Sequence, residues 1–196
     1  MNLWYGFVRI LIFVITSILF RIQVIGRENI PAGHFVLVAN HYKFWDPVIM
    51  TRVFQRELHF MAKKELFQIP VFGALLRSMN AFPVDREAND LGAIRHAVSL
   101  TKEGKSLVIF PEGTRVKEKK RSNFKEGAAL VASLVDAPLL PVTIEGKYRF
   151  WGKLRVTIHQ PIEIDAFPKN LDRKELRKEI LDQAYLSIYG EEGFDR

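Results

Sequence analysis

The chemistry in this sequence gathers in "NHYKFWDP", Asn40 to Pro47, which follows the apolar run "FVLVA". It sets His41 and Asp46 five positions apart. An imidazole whose one nitrogen donates to a carboxylate is held in a single tautomer, and its other nitrogen is left as a general base. With an ordinary pKa of ~6.5, histidine suits removal of an alcohol proton during attack on an acyl group. Five positions on one helix amount to about 500°, so the two side chains would not share a helical face. Pairing therefore requires His41 on a strand-exit loop and Asp46 at the start of the next helix. A plainer reading is also open. Asp46 is then the N-cap of a helix whose first residue is Pro47, and His41 is a loop histidine bonded to backbone.

Three further stretches carry candidate groups. In "VIFPEGTRVKEKKR", Val108 to Arg121, a strand runs into Pro111-Glu112-Gly113-Thr114-Arg115. Proline and glycine force a tight exit and let backbone N–H groups approach a ligand. Glu112, Thr114 and Arg115 would then stand at the carboxyl ends of strands, where open α/β sheets bind ligands. Arg115 can hold a phosphate bidentately. "KEKKR" reads as a solvated charge run that can touch anionic lipid. "AFPVDR" ends in Arg86, whose plain reading is a surface pair with Asp85, and "LLPVTI", Leu139 to Ile144, reads as a core or edge strand.

The rest of the composition narrows the chemistry. The chain has 196 residues, of which 48% are hydrophobic, which suits one domain with a sizeable core. It has no cysteine, which removes disulfides, zinc–thiolate sites and a thiol nucleophile. "GKS" at Gly104 to Ser106 lacks the glycine a phosphate-binding loop needs, since Ser99 stands there. Neither G-x-S-x-G nor H-E-x-x-H nor G-x-G-x-x-G occurs, and the five histidines lack metal-ligand spacing. The expectation is direct group transfer with no metal and no cofactor. The net charge of +7 suits anionic headgroups, phosphorylated substrates or nucleic acid. No nucleic-acid motif appears, and the basic residues are spread along the chain.

These groups need a scaffold. Seven strand-like runs (22–26, 35–39, 58–62, 81–85, 107–110, 139–144 and 154–159) alternate with helical patterns near 47–56, 64–78, 87–103, 124–136 and 172–188. The class expected is α/β: a helix-covered mixed, largely parallel sheet of about seven strands. Residues 1–21 form an N-terminal apolar membrane-anchoring helix and 22–196 the catalytic domain. Leu3 to Phe20 would be about 27 Å long as a helix, just short of a hydrocarbon core of ~30 Å. Asn2, Arg9 and Thr16 share one line on it. That stripe allows a helix lying in the headgroup plane with Arg9 turned to water, or a span in which Arg9 snorkels.

Taken in order and spacing, "NHYKFWDP", "AFPVDR", "FPEGTR" and "LLPVTI" resemble the four blocks of the glycerolipid acyltransferases, and most of all the 1-acylglycerol-3-phosphate acyltransferase branch. The resemblance runs from about Ile22 to Ile164. It implies transfer of a fatty acyl group from acyl carrier protein or acyl-CoA to the 2-hydroxyl of lysophosphatidic acid, giving phosphatidic acid for phospholipid biosynthesis at the cytoplasmic face of the cell membrane. By matching position, His41 is the implied general base and Asp46 its orienting partner. Arg86, Thr114 and Arg115 are implied in acceptor binding, Glu112 and Gly113 in placing the glycerol, and Asn40 in supporting the loop. Lys63, with Lys64 as its rival, matches the lysine that steadies the oxyanion. Lys43 stands where relatives usually carry serine or threonine. Two alternatives stay open: a related enzyme that acylates glycerol 3-phosphate or another lysolipid, and a basic membrane-surface or nucleic-acid-binding module.

Overall fold

Strands that are apolar on both faces need cover on both, and the molecule provides it with helices on either side of one sheet. The computed structural model describes residues 3–85, 90–116 and 118–194. Helix α1 (Leu3–Leu19) leads into β1 (Phe20–Ile25). Then follow β2 (Val36–Ala39), α2 (Asp46–Val53), β3 (Leu58–Lys63), α3 (Pro70–Ser78), β4 (Ala81–Val84), α4 (Leu91–Lys102), β5 (Ser106–Ile109), α5 (Gly127–Val135), β6 (Leu139–Gly146), β7 (Gly152–Ile158) and α6 (Arg173–Tyr189).

The seven strands lie in the order β1-β7-β6-β2-β5-β3-β4. All neighbours are parallel except β6 and β7, which form an antiparallel hairpin. This is the mixed, largely parallel sheet expected. Side chains alternate through it. Val36 and Val38 join the core under α4, α5 and α6, whereas Phe35, Leu37 and Ala39 join the core under α2. Parallel pairing gives β2, β3, β4 and β5 a common direction, so the segments that leave their carboxyl ends share one edge of the sheet. Those segments hold His41, Asp85 and Glu112, and Lys63 ends β3 at the same edge.

The helices depart from the sequence expectations at their ends. The pattern over 64–78 divides into a 3-10 turn, Lys64–Gln68, and α3. Pro70 enforces the break, because it lacks an N–H and suits only the first turn of a helix. The pattern at 87–103 becomes α4, capped by the Asp90 carboxylate on the Ala93 N–H at 2.9 Å. Its expected first residues, with Arg86, lie outside the described residues.

The polar stripe of α1 turns inward rather than to water. Thr16 is fully buried and Arg9 is half-buried, whereas Leu3, Phe7, Ile10, Leu11, Val14 and Ile18 are exposed. The cause is a set of polar tethers to the body. Tyr5 Oη accepts the Leu58 N–H at 3.2 Å, and the Arg52 guanidinium donates to the Phe13 carbonyl at 2.9 Å and Ser17 Oγ at 2.8 Å. Among the described residues no helix is long and apolar enough to cross a membrane.

Asn40 extends the sheet past the last backbone rung of β2. Its amide donates to the Ile144 carbonyl at 2.8 Å and accepts the Ile144 N–H at 2.7 Å, all of it buried. Asn40→Ala leaves both backbone groups unpaired. The expected loss is about 2–4 kcal/mol of unfolding free energy, read from urea titration. An unchanged midpoint and slope would show that the rung does not matter.

Candidate active site

The loop between β2 and α2 is wound around one carboxylate. Asp46 is buried, and its Oδ2 accepts His41 Nδ1 at 3.0 Å, the Tyr42 N–H at 2.7 Å and the Lys43 N–H at 2.7 Å. An oxygen that already takes two backbone N–H groups is an acceptor, so Nδ1 of His41 is the donor in this pair and Nε2 stays outside it. Asp46 Oδ1 accepts the phenolic O–H of Tyr148, which comes from the β6–β7 connection.

Asp46 is therefore not the N-cap expected from sequence. It is the first residue of α2, Trp45 holds the cap position, and no side chain caps the helix. The carboxylate faces backward into the loop, where Nδ1 and two amides compete successfully for its lone pairs. Pro47, inside the first turn, supplies no N–H that would need a cap.

Glu112 fastens the second loop to the first. It is buried, and its Oε2 accepts the His41 backbone N–H at 2.9 Å. Its Oε1 accepts the hydroxyl of Tyr189, the last residue of α6. Val116 N–H closes the strap on the His41 carbonyl at 3.0 Å. Gly113 supports the sharp exit with a left-handed φ of 67°. The His41 ring stacks on Phe110, with centroids 4.3 Å apart. The imidazole is thus fixed through its backbone, its ring face and Nδ1.

The carboxyl of Glu112 is inward-facing and fully engaged by protein groups, which fits loop bracing better than direct contact with a glycerol. Burial pushes its pKa up to about 7, and the nearby Asp46 charge adds to that, against the lowering effect of the Tyr189 and His41 hydrogen bonds. Thr114 and Arg115 are exposed on a cleft of about 770 Å³ that also receives Lys43, Lys119, Tyr148 and Tyr189. His41 is not in its lining, although its neighbours Asn40 and Tyr42 are. Lys63 ends β3 with its ammonium 3.6 Å from Glu65, and Lys64 pairs with Asp85 at 2.5 Å. Arg86 lies outside the described residues. No group of metal-ligating side chains occurs among the described residues.

Two site residues had no signal in the sequence. Tyr148 and Tyr189 stand 102 and 77 positions from the carboxylates they hold. No local pattern announces a contact of that separation, and only the closed sheet brings them in.

Comparison with known proteins gives a consistent result. The Acyltransferase family model matches residues 21–145. A 1-acyl-sn-glycerol-3-phosphate acyltransferase of Bacillus subtilis is 37% identical over 156 residues, which cover 76% of this chain and 77% of that protein. One from Streptococcus pneumoniae is 36% identical over 146 residues, covering 71% of this chain and 54% of the relative. The crystal structure of the 1-acyl-sn-glycerophosphate (LPA) acyltransferase PlsC from Thermotoga maritima superposes with a TM-score of 0.71 at 30% identity, covering 92% of this chain and 78% of that one.

The buried Glu112 sets a testable pH dependence. Its folded-state pKa is raised, so between about 4.5 and 7 the folded chain holds a proton that the unfolded chain releases. Stability from this group is present below about 4.5 and is lost as pH rises through 7. Glu112→Gln removes that slope. Relative to wild type, the variant should gain about 3 kcal/mol on going from the acid to the alkaline side of the window, measured by urea unfolding. An unaltered pH slope would contradict the assignment.

Proposed function

The chain belongs to the Acyltransferase family, and on that premise we propose that it acylates the 2-hydroxyl of lysophosphatidic acid by general-base catalysis from His41. The observation that carries the reading is the oriented pair of His41 and Asp46, strapped to the Glu112 loop beside a cleft with cationic walls.

The steps follow from the groups available. Nε2 of His41 takes the proton of the acceptor hydroxyl as its oxygen attacks the thioester carbonyl of acyl carrier protein or acyl-CoA. The resulting imidazolium is stabilised across Nδ1 by Asp46. Collapse of the tetrahedral intermediate breaks the carbon–sulfur bond, and the proton on Nε2 passes to the departing thiolate. Lys63 is the family-matched donor to the oxyanion, a contribution of ~10²–10³ in rate for one such group. Arg115 and Thr114, with Arg86, bind the acceptor phosphate. Lys43 lines the same cleft, which sets the residue that departs from the family pattern among the phosphate-facing cations.

The exposed apolar face of α1 supports residence on a membrane surface, where the lipid acceptor is found, with the helix lying rather than spanning. Phospholipid synthesis from a carrier-bound acyl group argues for the cytoplasmic face.

Purified protein should transfer acyl groups to lysophosphatidic acid. His41→Ala should fold and lose ~10²–10⁴ of the rate. Arg115→Ala should weaken use of the phosphorylated acceptor by roughly tenfold to a hundredfold, and leave a monoacylglycerol acceptor little changed. Full activity in His41→Ala, or equal losses with both acceptors in Arg115→Ala, would overturn the respective roles.

A further inference from the structure

A second cationic site lies at the far end of α2 from Asp46. Asp46 opens this helix and Arg52 stands in its last turn, about 9 Å further along the axis. There Arg9 of α1, Arg27 and Arg52 line one cavity of about 400 Å³. Among the described residues none of the three forms an ion pair, and no carboxylate lines the cavity. Elsewhere in the molecule arginines do find carboxylates, as Arg121 does on Asp182 at 2.5 Å and Arg177 on Glu126 at 3.0 Å. Burial and the charge of Arg27 both lower the pKa of Arg52. Arg9 and Arg52 are half-buried and Arg27 is exposed beside them; like charges, two of them partly desolvated, are unfavourable together unless an anion joins them.

The walls identify the kind of anion. Ile10 and Phe13 line the cavity and also belong to the exposed apolar face of α1. The Arg52 guanidinium lies 4.2 Å from the centre of the Phe13 ring. Ile22 and Val24 of β1 complete an apolar wall. The site thus joins three cations to an apolar wall that runs into the helix face assigned above to the bilayer. An anion with acyl chains fits that arrangement, with the chains along Ile10 and Phe13 and a phosphate on the three guanidinium groups.

We propose that the cavity formed by Arg9, Arg27 and Arg52 binds the phosphate of an anionic membrane phospholipid, at a site separate from the acceptor cleft. The proposal rests on the reading of α1 as a membrane-surface helix. Its role is to dock the chain on anionic bilayer and to set the rotation of α1 about its axis.

The test uses the full chain with two vesicle types, phosphatidylcholine alone and phosphatidylcholine containing phosphatidylglycerol. Wild type should bind the neutral vesicles through α1 and the anionic ones more tightly. Arg9→Gln/Arg27→Gln should keep the neutral binding and weaken the anionic binding by about tenfold or more, given ~1 kcal/mol per basic residue at an anionic surface. Arg9→Gln alone, whose arginine makes no hydrogen bond among the described residues, guards against misfolding and should show about a fivefold loss. Lys169→Gln/Lys174→Gln removes the same charge next to and within α6, a helix on the opposite face of the sheet, and should change anionic binding less than about twofold.

Equal losses in the two double variants, or no loss in the arginine pair, would overturn the site. Failure of wild type to bind either vesicle would instead sink the membrane reading. The site is then judged by inorganic phosphate alone. Thermal stabilisation by phosphate over chloride at matched ionic strength, lost in Arg9→Gln, would keep it as a free-phosphate site. Absence of that stabilisation would overturn it.

Discussion

One carboxylate organises the loops at the carboxyl edge of the sheet. Asp46 gathers His41 Nδ1 and two consecutive loop amides on a single oxygen and a tyrosine hydroxyl on the other. Four donors on a buried carboxylate meet its hydrogen-bonding capacity and fix the loop path, the imidazole tautomer and the direction of Nε2 together. The same geometry would be costly without its donors, because a buried charge left short of partners is strongly destabilising. The sheet supplies the precision. Its parallel strands bring the Asp46 loop and the Glu112 loop out at the same edge, and the Asn40 rung extends the ladder between β2 and β6 to that edge.

The two faces of the fold have different work. Helices α4, α5 and α6 close one core, and Tyr189 at the end of α6 reaches Glu112. Helix α2 covers the other, and α1 packs against α2 with Tyr5, Val8 and Thr16 buried and most of its large apolar side chains turned out. Arg52 links that outer helix to α2, the helix that begins at Asp46. One short helix therefore carries both the carboxylate that holds His41 and the arginine that holds α1, so under the proposed function the membrane-facing helix and the acid–base pair are coupled through α2.

Much of this was legible in the chain because it is local. Runs such as "FVLVA" and "LLPVTI" are apolar on both strand faces, and each forms a strand near its expected position. The spacing of His41 and Asp46 was readable as a loop-to-helix pair, although the cap role given to Asp46 was not what its lone pairs do. What stayed hidden depends on distant closure. Tyr148 and Tyr189 look like ordinary aromatic residues until the β6–β7 hairpin and α6 fold back. The inward rotation of the α1 stripe was also hidden, because hydropathy shows that a helix has a polar line but not what faces it. Arg52 and the Leu58 N–H decide that, and both lie more than thirty positions away.

The claim that Asp46 acts through His41 is tested most directly by the acyl-transfer rate of Asp46→Asn, with folding checked by circular dichroism. An amide at this position can still accept from the loop, but it carries no charge to stabilise the imidazolium. The expected outcome is a folded variant whose kcat falls by ~10²–10⁴ while its KM for the lysolipid changes little. A folded Asp46→Asn protein that turns over at the wild-type rate would contradict it.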